Sequence, residues 1–310
     1  MKTRILTITK AKAGFKIPAA AVAAALLLSV TACGGTTATN GVAELGSTVP
    51  TMALNKAAAA DLPESIKASK ILIVAIPTNE PPTQFYKPGT QEMTGTNPDI
   101  ARLVGQALGV NVEIKVSNFD SIIPGIAAGR YDMTVSSMTP TTQRMQVLDF
   151  VDYMQMGNSI AVPTGNPLGI KNQDDLCGKK VGLLTGSYQL TANVPDANAT
   201  CVKEGKPQLA TSEFQDTRQA ISALTSGRLD AVLADSPIMD FAAKSNPTIE
   251  ISSKYEFTPV GIGMPKDSGL IKAVSAVMVD IVKSDSYKAV LKKYGLESSA
   301  ITDPRVNFAQ

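Results

Sequence analysis

Arg144 and Asp235 are the two residues of this 310-residue chain whose contexts suggest recognition chemistry. Arg144 closes the polar stretch Ser136-Ser137-Met138-Thr139-Pro140-Thr141-Thr142-Gln143, and Asp235 ends the strand-like run Ala231-Val232-Leu233-Ala234. A guanidinium is a planar fork of donors that matches a carboxylate, and a carboxylate accepts from an ammonium. Facing each other across a cleft, the pair would hold the two charged ends of an α-amino acid. Other chemistries are ruled out by composition. The chain has no histidine, which removes Ser-His-Asp and Cys-His devices and any His-ligated zinc. Gly178-Lys179 is followed by Lys180 instead of Ser or Thr, and the upstream glycine of a phosphate-binding loop is missing. No metal and no cofactor are expected.

Such a pair needs a scaffold, and the chain alternates strand and helix signals. Ile71–Ile76 is a continuous aliphatic run, as in a strand buried on both faces. Asn97-Pro98 reads as the cap and first residue of a helix that Gly109 stops. Val112–Val116 is the next strand, a helix follows Phe119-Asp120 as far as Ala128, and Met133–Ser136 is a third strand. This order predicts an α/β layer with a mostly parallel sheet. The pattern recurs with a strand at Lys180–Leu184 entering Thr185-Gly186-Ser187, a helix at Asp216–Thr225 and a strand at Leu229–Ala234. Gly129-Arg130-Tyr131-Asp132 and Gly227-Arg228-Leu229-Asp230 stand before the third strand of each half. Ile160–Val162 and Val260–Met264 flank the second half and read as two crossings between lobes, while helices near Gly269–Lys283 and Ser286–Tyr294 return to the first. Two strands joining two lobes make a hinge.

The N-terminus has the layout of an export signal: Lys2, Arg4, Lys10, Lys12 and Lys16, then an apolar run from Ile17 to Val30. That run is short for a bilayer span of roughly 20 residues. Val30-Thr31-Ala32-Cys33 resembles a bacterial lipobox, so Cys33 is expected to be acylated and to anchor the protein to the membrane. All five charges before Cys33 are basic, which leaves 24 basic against 27 acidic residues downstream, a formal charge of −3 instead of the +2 of the whole chain. No case for nucleic-acid binding remains. Cys177 and Cys201 are the other cysteines, and an even pair in an exported protein reads as a disulfide. The expected divisions are a signal peptide over 1–33, a tether over 34–62, lobe 1 over 63–156 plus 263–303, and lobe 2 over 157–262.

From Ile71 to Leu296 the chain resembles the family 3 extracellular solute-binding proteins, the amino-acid receptors of ABC importers. The resemblance is carried by Phe119-Asp120 with Ile123-Pro124, Gly129-x-Tyr131-Asp132, Ser137-Met138-Thr139 with Arg144, and Asp149-Phe150. It continues through Gly186-Ser187, Gly227 to Pro237, Asp285-x-Tyr287 and Tyr294-Gly295-Leu296. It implies a two-lobed, type II periplasmic-binding-protein-like fold with two hinge strands. It also implies roles. Arg144 would clamp the ligand carboxylate, and Ser187, after Gly186, would donate its backbone N–H and hydroxyl to the same group. Asp235 would take the ammonium with help from Ser137 and Thr139, and Phe119 would stack on the ligand side chain. The protein would then be a monomeric receptor on the outer face of the cell membrane, working with an ABC permease and not as an enzyme.

One loop departs from the family pattern. In Ile76-Pro77-Thr78-Asn79-Glu80-Pro81-Pro82-Thr83-Gln84-Phe85, Pro77 stands where members often have Asp, and Glu80 stands where they have an aromatic. Glu80 would suit a cationic side chain, a side-chain amide or an ectoine-type zwitterion, and Phe85 would replace the lost aromatic surface. Two other readings compete. In one, the fold is a dehydratase of the cyclohexadienyl type with Glu80 as general acid. In the other, the protein is a ligand sensor for a separate signalling partner.

Overall fold

The computed structural model describes residues 50–309, so the export signal, Cys33 and the tether up to residue 49 lie outside the described residues. Short helices Lys56–Ala60 (α1) and Glu64–Ser69 (α2) lead into the aliphatic strand Ile71–Ile76 (β1). A ribbon of Phe85–Tyr86 (β2) and Met93–Thr94 (β3) precedes Thr96–Leu108 (α3), Asn111–Val116 (β4), Phe119–Ala127 (α4) and Met133–Met138 (β5). The long strand Leu148–Pro163 (β6) enters the second half. There Lys180–Leu184 (β7), Val194–Lys203 (α5), Ala210–Phe214 (β8), Thr217–Thr225 (α6), Ala231–Asp235 (β9) and Ser236–Ser245 (α7) follow. Ile249–Pro265 (β10) returns to the first half, and Leu270–Lys283 (α8) and Asp285–Lys293 (α9) pack there. Among the described residues no helix is long and apolar enough to cross a membrane.

One sheet carries both halves, in the order β4-β1-β5-β10-β6-β9-β7-β8. β1, β4 and β5 are parallel to one another, as are β7, β8 and β9. β10 and β6 run antiparallel through the middle, β10 beside β5 and β6 beside β9. The short strand-like segments at 160–162 and 260–264 are thus parts of strands of 16 and 17 residues. Each half places its second, first and third parallel strands in the same order beside a crossing strand. This is the two-lobed type II fold with two connecting strands. Separate apolar clusters back the halves: Leu72, Val74, Ile100 and Val104 with Val277 and Tyr287 in the first, and Leu183, Val181 and Leu233 with Cys201 in the second.

The repeated Gly-Arg-x-Asp motif has a structural meaning. Gly129 (φ 67°) and Gly227 (φ 74°) occupy the left-handed region just past α4 and α6, where glycine carries no Cβ penalty. Three residues on, Asp132 Oδ2 accepts from Ile73 N at 2.7 Å and Asp230 Oδ2 accepts from Lys180 N at 2.8 Å. Each motif therefore ends a helix and ties the third strand of its half to the first. The cysteines also meet: Cys177 and Cys201 form a disulfide with Cα atoms 5.5 Å apart, holding the start of β7 to α5.

Three expectations are revised. The tether is not free up to residue 62. Met52 N donates to Gln106 Oε1 at 2.7 Å, Asn55 N donates to Ala107 O at 2.8 Å, and Ala58 and Leu62 are buried. Asn55 caps α1 through Ala58 N, and the small alanines let that helix lie close to α3 and α8. Asn97 is not a helix cap, because α3 starts at Thr96 and the Asn97 side chain is buried in a network described below. β8 carried no strand signal: Ala210 to Glu213 are exposed at the sheet edge, so no apolar alternation marks them.

Candidate functional site

The parallel strands of both halves end toward a common cavity, the location expected for ligands of open α/β sheets. β5 delivers Ser136 and Ser137, with Thr139 just beyond, and β9 delivers Asp235 at the N-terminus of α7. Phe119 begins α4 and Thr217 begins α6, so helix N-termini with their partial positive charge surround the space. Its walls stand close together: the free volume between them is about 20 Å³, room for roughly one water. Of the sequence-predicted residues, Glu80, Phe119, Ser137, Thr139, Arg144, Ser187 and Asp235 line it together.

Both halves form its walls and touch across it. Arg144 Nη1 donates to Thr139 O and Nη2 to Gly186 O, each at 2.8 Å. Thr217 Oγ1 donates to Glu80 Oε1 at 2.7 Å, and Asn79 Nδ2 donates to Asp216 Oδ2 at 3.2 Å. The Phe119 ring centroid lies 5.5 Å from the Arg144 guanidinium carbon, a cation–π distance. Gly186 lies outside the lining and takes part through its carbonyl, in a left-handed turn with φ 74°.

Glu80, Arg144 and Asp235 are the side chains of this space that carry charge. Burial lowers Arg144 to about 10, with the Asp235 charge pulling it back up, so it stays a cation at neutral pH. Burial raises Asp235 to about 6 against the opposing effects of the Gln189 hydrogen bond and the Arg144 charge. Glu80 is pushed up to about 7, first by burial; the Thr217 hydroxyl opposes this, and the charges of Asp235 and Asp216 add to it. Arg144 and Asp235 do not pair: the guanidinium bonds to carbonyls, and Asp235 Oδ1 accepts from Gln189 Nε2 at 2.6 Å. Two opposite charges held apart in a low-dielectric cavity each favour a counter-charge.

A buried network fixes the first half of the site. Glu80 Oε2 accepts from Gln84 Nε2 at 2.7 Å, and Gln84 Oε1 accepts from Asn97 Nδ2. Asn97 Nδ2 also donates to Ser137 Oγ at 3.0 Å, and Asn97 Oδ1 accepts from Tyr153 OH at 2.6 Å. Tyr153 OH in turn accepts from Ser137 N at 2.9 Å. Ser137 has φ 56°, a conformation that costs a non-glycine residue free energy and is retained where surroundings enforce it.

Two role expectations change. Phe85 does not line the cavity. Gln84 turns inward to Glu80, so strand alternation sends Phe85 to the opposite face, against the first-half core. The Ser187 backbone N–H is engaged by Leu184 O at 3.0 Å, and Ser187 Oγ accepts from Leu190 N at 3.2 Å. Of the two donors expected of Ser187, only the hydroxyl proton is uncommitted. Thr217, Gln189, Tyr188 and Ile238 also line the space and were missed. Asp216-Thr217 reads locally as a helix start, and its contact with Glu80 spans 137 positions.

Comparison with known proteins agrees with the architecture. The arginine-binding protein ArgT of Corynebacterium glutamicum is 26% identical over 248 residues, covering 79% of this chain and 81% of that one. An ancestral arginine-binding protein solved bound to arginine is 30% identical, with a TM-score of 0.66 over 73% of this chain and 98% of that chain. The ancestral amino acid-binding protein AncCDT-1, described as a precursor of cyclohexadienyl dehydratase, is 26% identical, with a TM-score of 0.64 over 74% and 98%. Residues 72–297 match the bacterial extracellular solute-binding proteins, family 3, and the chain belongs to that family.

Proposed function

We propose that this protein is a receptor for a cationic amino acid, anchored to the outer face of the cell membrane by a lipid on Cys33. It acts as a monomer and hands its ligand to an ABC importer. The observation that carries the reading is the charge set of one cavity: Arg144 against two carboxylates, the partly buried Asp235 and the buried Glu80. Arg144 takes the ligand carboxylate, Asp235 the α-ammonium, and Glu80 a positive side chain. A zwitterion with a neutral side chain would leave the Glu80 charge at high pH with its hydrogen bonds from Gln84 and Thr217 but no counter-charge. The names of the arginine-binding relatives support the same ligand class. Residues 63–156 and 263–303 act as one jaw and 157–262 as the other.

Calorimetry and thermal shift with L-arginine, L-lysine, L-histidine, L-glutamine and ectoine test this. A cationic amino acid is expected to raise the melting temperature most, since binding to the folded state alone stabilises it. Arg144→Ala is expected to weaken binding at least tenfold, about 1.4 kcal/mol, with the ligand-free protein still folded. If no amino acid shifts the melting temperature, or Arg144→Ala binds as well as the parent, the reading fails. A second reading treats Glu80, near 7, as a general acid for dehydration. Turnover of prephenate or arogenate that Glu80→Gln abolishes would establish it over the first.

A further inference from the structure

Glu256 occupies a position in β10 that favours a different residue type. Tyr255 faces Asn158 and Phe257 faces Gly157, so Glu256 is the extra residue of a bulge. Its φ is 48°, in the left-handed region where glycine is at ease and other residues carry a cost. A glutamate there calls for a reason in what its carboxylate touches. Oε2 accepts from Asn158 Nδ2 at 2.7 Å and from Asn193 Nδ2 at 3.0 Å. Asn158 Oδ1 accepts from Gln189 Nε2 at 2.6 Å, and the same nitrogen donates to Asp235 Oδ1 at 2.6 Å.

The direction of this relay is set by its ends. A side-chain amide can turn end for end, exchanging its donor and acceptor. Here a carboxylate stands at each end of two amides in series. Glu256 demands the NH₂ of Asn158, which turns the Asn158 carbonyl toward Gln189. That carbonyl takes one N–H of Gln189 and leaves the other for Asp235. Asn158 is 3% and Gln189 4% exposed, so water is a poor substitute for either bond. Asn158 also sits opposite Asp235 in the β6–β9 register, and the relay crosses three adjacent strands.

We infer that Glu256 is a positioning residue: by orienting the amides of Asn158 and Gln189 from a connecting strand, it holds the Asp235 carboxylate in its ligand-binding pose. The inference rests on the assignment of Asp235 to the ligand site above. Glu256 lines no part of the cavity, and its influence passes through the two amides.

Glu256→Gly separates this role from a merely structural one, because glycine suits the left-handed bulge while removing the carboxylate. Glu256 is itself exposed and its two bonds are part-buried, so the variant is expected to keep or raise the melting temperature while binding L-arginine about fivefold more weakly, the effect of roughly one hydrogen bond. Glu256→Gln retains an acceptor oxygen and is expected to recover most of the affinity. Wild-type affinity in Glu256→Gly, or an affinity loss that only tracks a lowered melting temperature, overturns the inference. If the wild-type protein does not bind L-arginine, the ligand assignment fails instead, and the relay is judged in the ligand-free protein. There the Asn158 and Gln189 side-chain amide protons, followed by NMR, are expected to exchange faster in Glu256→Gly; unchanged exchange overturns the relay.

Discussion

Arg144 and Glu80 are 8% and 3% exposed and Asp235 is partly buried, and this is what gives the cavity its pH response. The direction follows from which protonation state a ligand favours. A cationic ligand favours ionised Asp235 and Glu80, so any proton they carry must leave on binding. Below about 6 both carboxyls are largely protonated, between about 6 and 7 Asp235 ionises first, and above about 7 both are charged. L-arginine affinity is therefore expected to rise between about pH 5 and pH 7.5 and then level off. Glu80→Gln is expected to remove the upper part of that rise and to weaken L-arginine binding about tenfold, while changing L-glutamine binding little. Calorimetry across this range checks both; an affinity for L-arginine that ignores pH would remove the two carboxylates from the argument. Arg144 and Asp235 were legible in the sequence because each sits in a distinctive local context, and Glu80 only because its loop departs from the family pattern. Gln189 was not, since its partner Asp235 lies 46 positions away.

At the scale of elements, local chemistry explains most of what folds. Aliphatic runs become β1 and β9, and glycines end α4 and α6. The Gly-Arg-x-Asp motif, read in the sequence only as a similarity between halves, proves to be a helix stop joined to a strand tie. Asp132→Ala is expected to lower stability by about 1–2 kcal/mol, because Ile73 N then loses its acceptor within the sheet. Urea denaturation measures this, and an unchanged midpoint would show that water replaces the bond. Asn97 misled for a related reason: a residue with cap chemistry became part of a buried network once Gln84, Ser137 and Tyr153 were brought beside it. β8 escaped notice because an edge strand facing solvent needs no apolar pattern.

Besides the two long strands they share, the two halves meet across the cavity through single polar contacts: Arg144 with Gly186, Thr217 with Glu80, and Asn79 with Asp216. Contacts of this kind let a ligand tip the balance between arrangements, provided it binds one better than the other. Stability should depend on pH as well. Glu80 is raised to about 7, and Asp235 and Asp152 to about 6, each chiefly by burial. A carboxyl raised in the folded state stabilises the fold below its ordinary range, and that contribution is lost as pH rises through the folded value. The ligand-free protein is thus expected to melt at a lower temperature at pH 7.5 than at about pH 5, and L-arginine is expected to narrow the gap by favouring the charged forms. Scanning calorimetry at the two pH values, with and without ligand, tests this. A melting temperature that climbs toward pH 7.5 without ligand would contradict the burial of these groups.

Most of the strand and helix order (β2, β3, β8 and α7 apart), the doubled topology, the cysteine pair and the principal charged residues were determined by the sequence alone, because short-range patterning and residue chemistry decide them. Only tertiary structure decided the rest: that Phe85 faces the core, that the Ser187 N–H closes a turn, that residues 52–62 dock on the first half, and that Thr217 meets Glu80. Each depends on which distant segment arrives beside a residue, and long-range packing of that kind leaves no periodic trace in the neighbouring sequence.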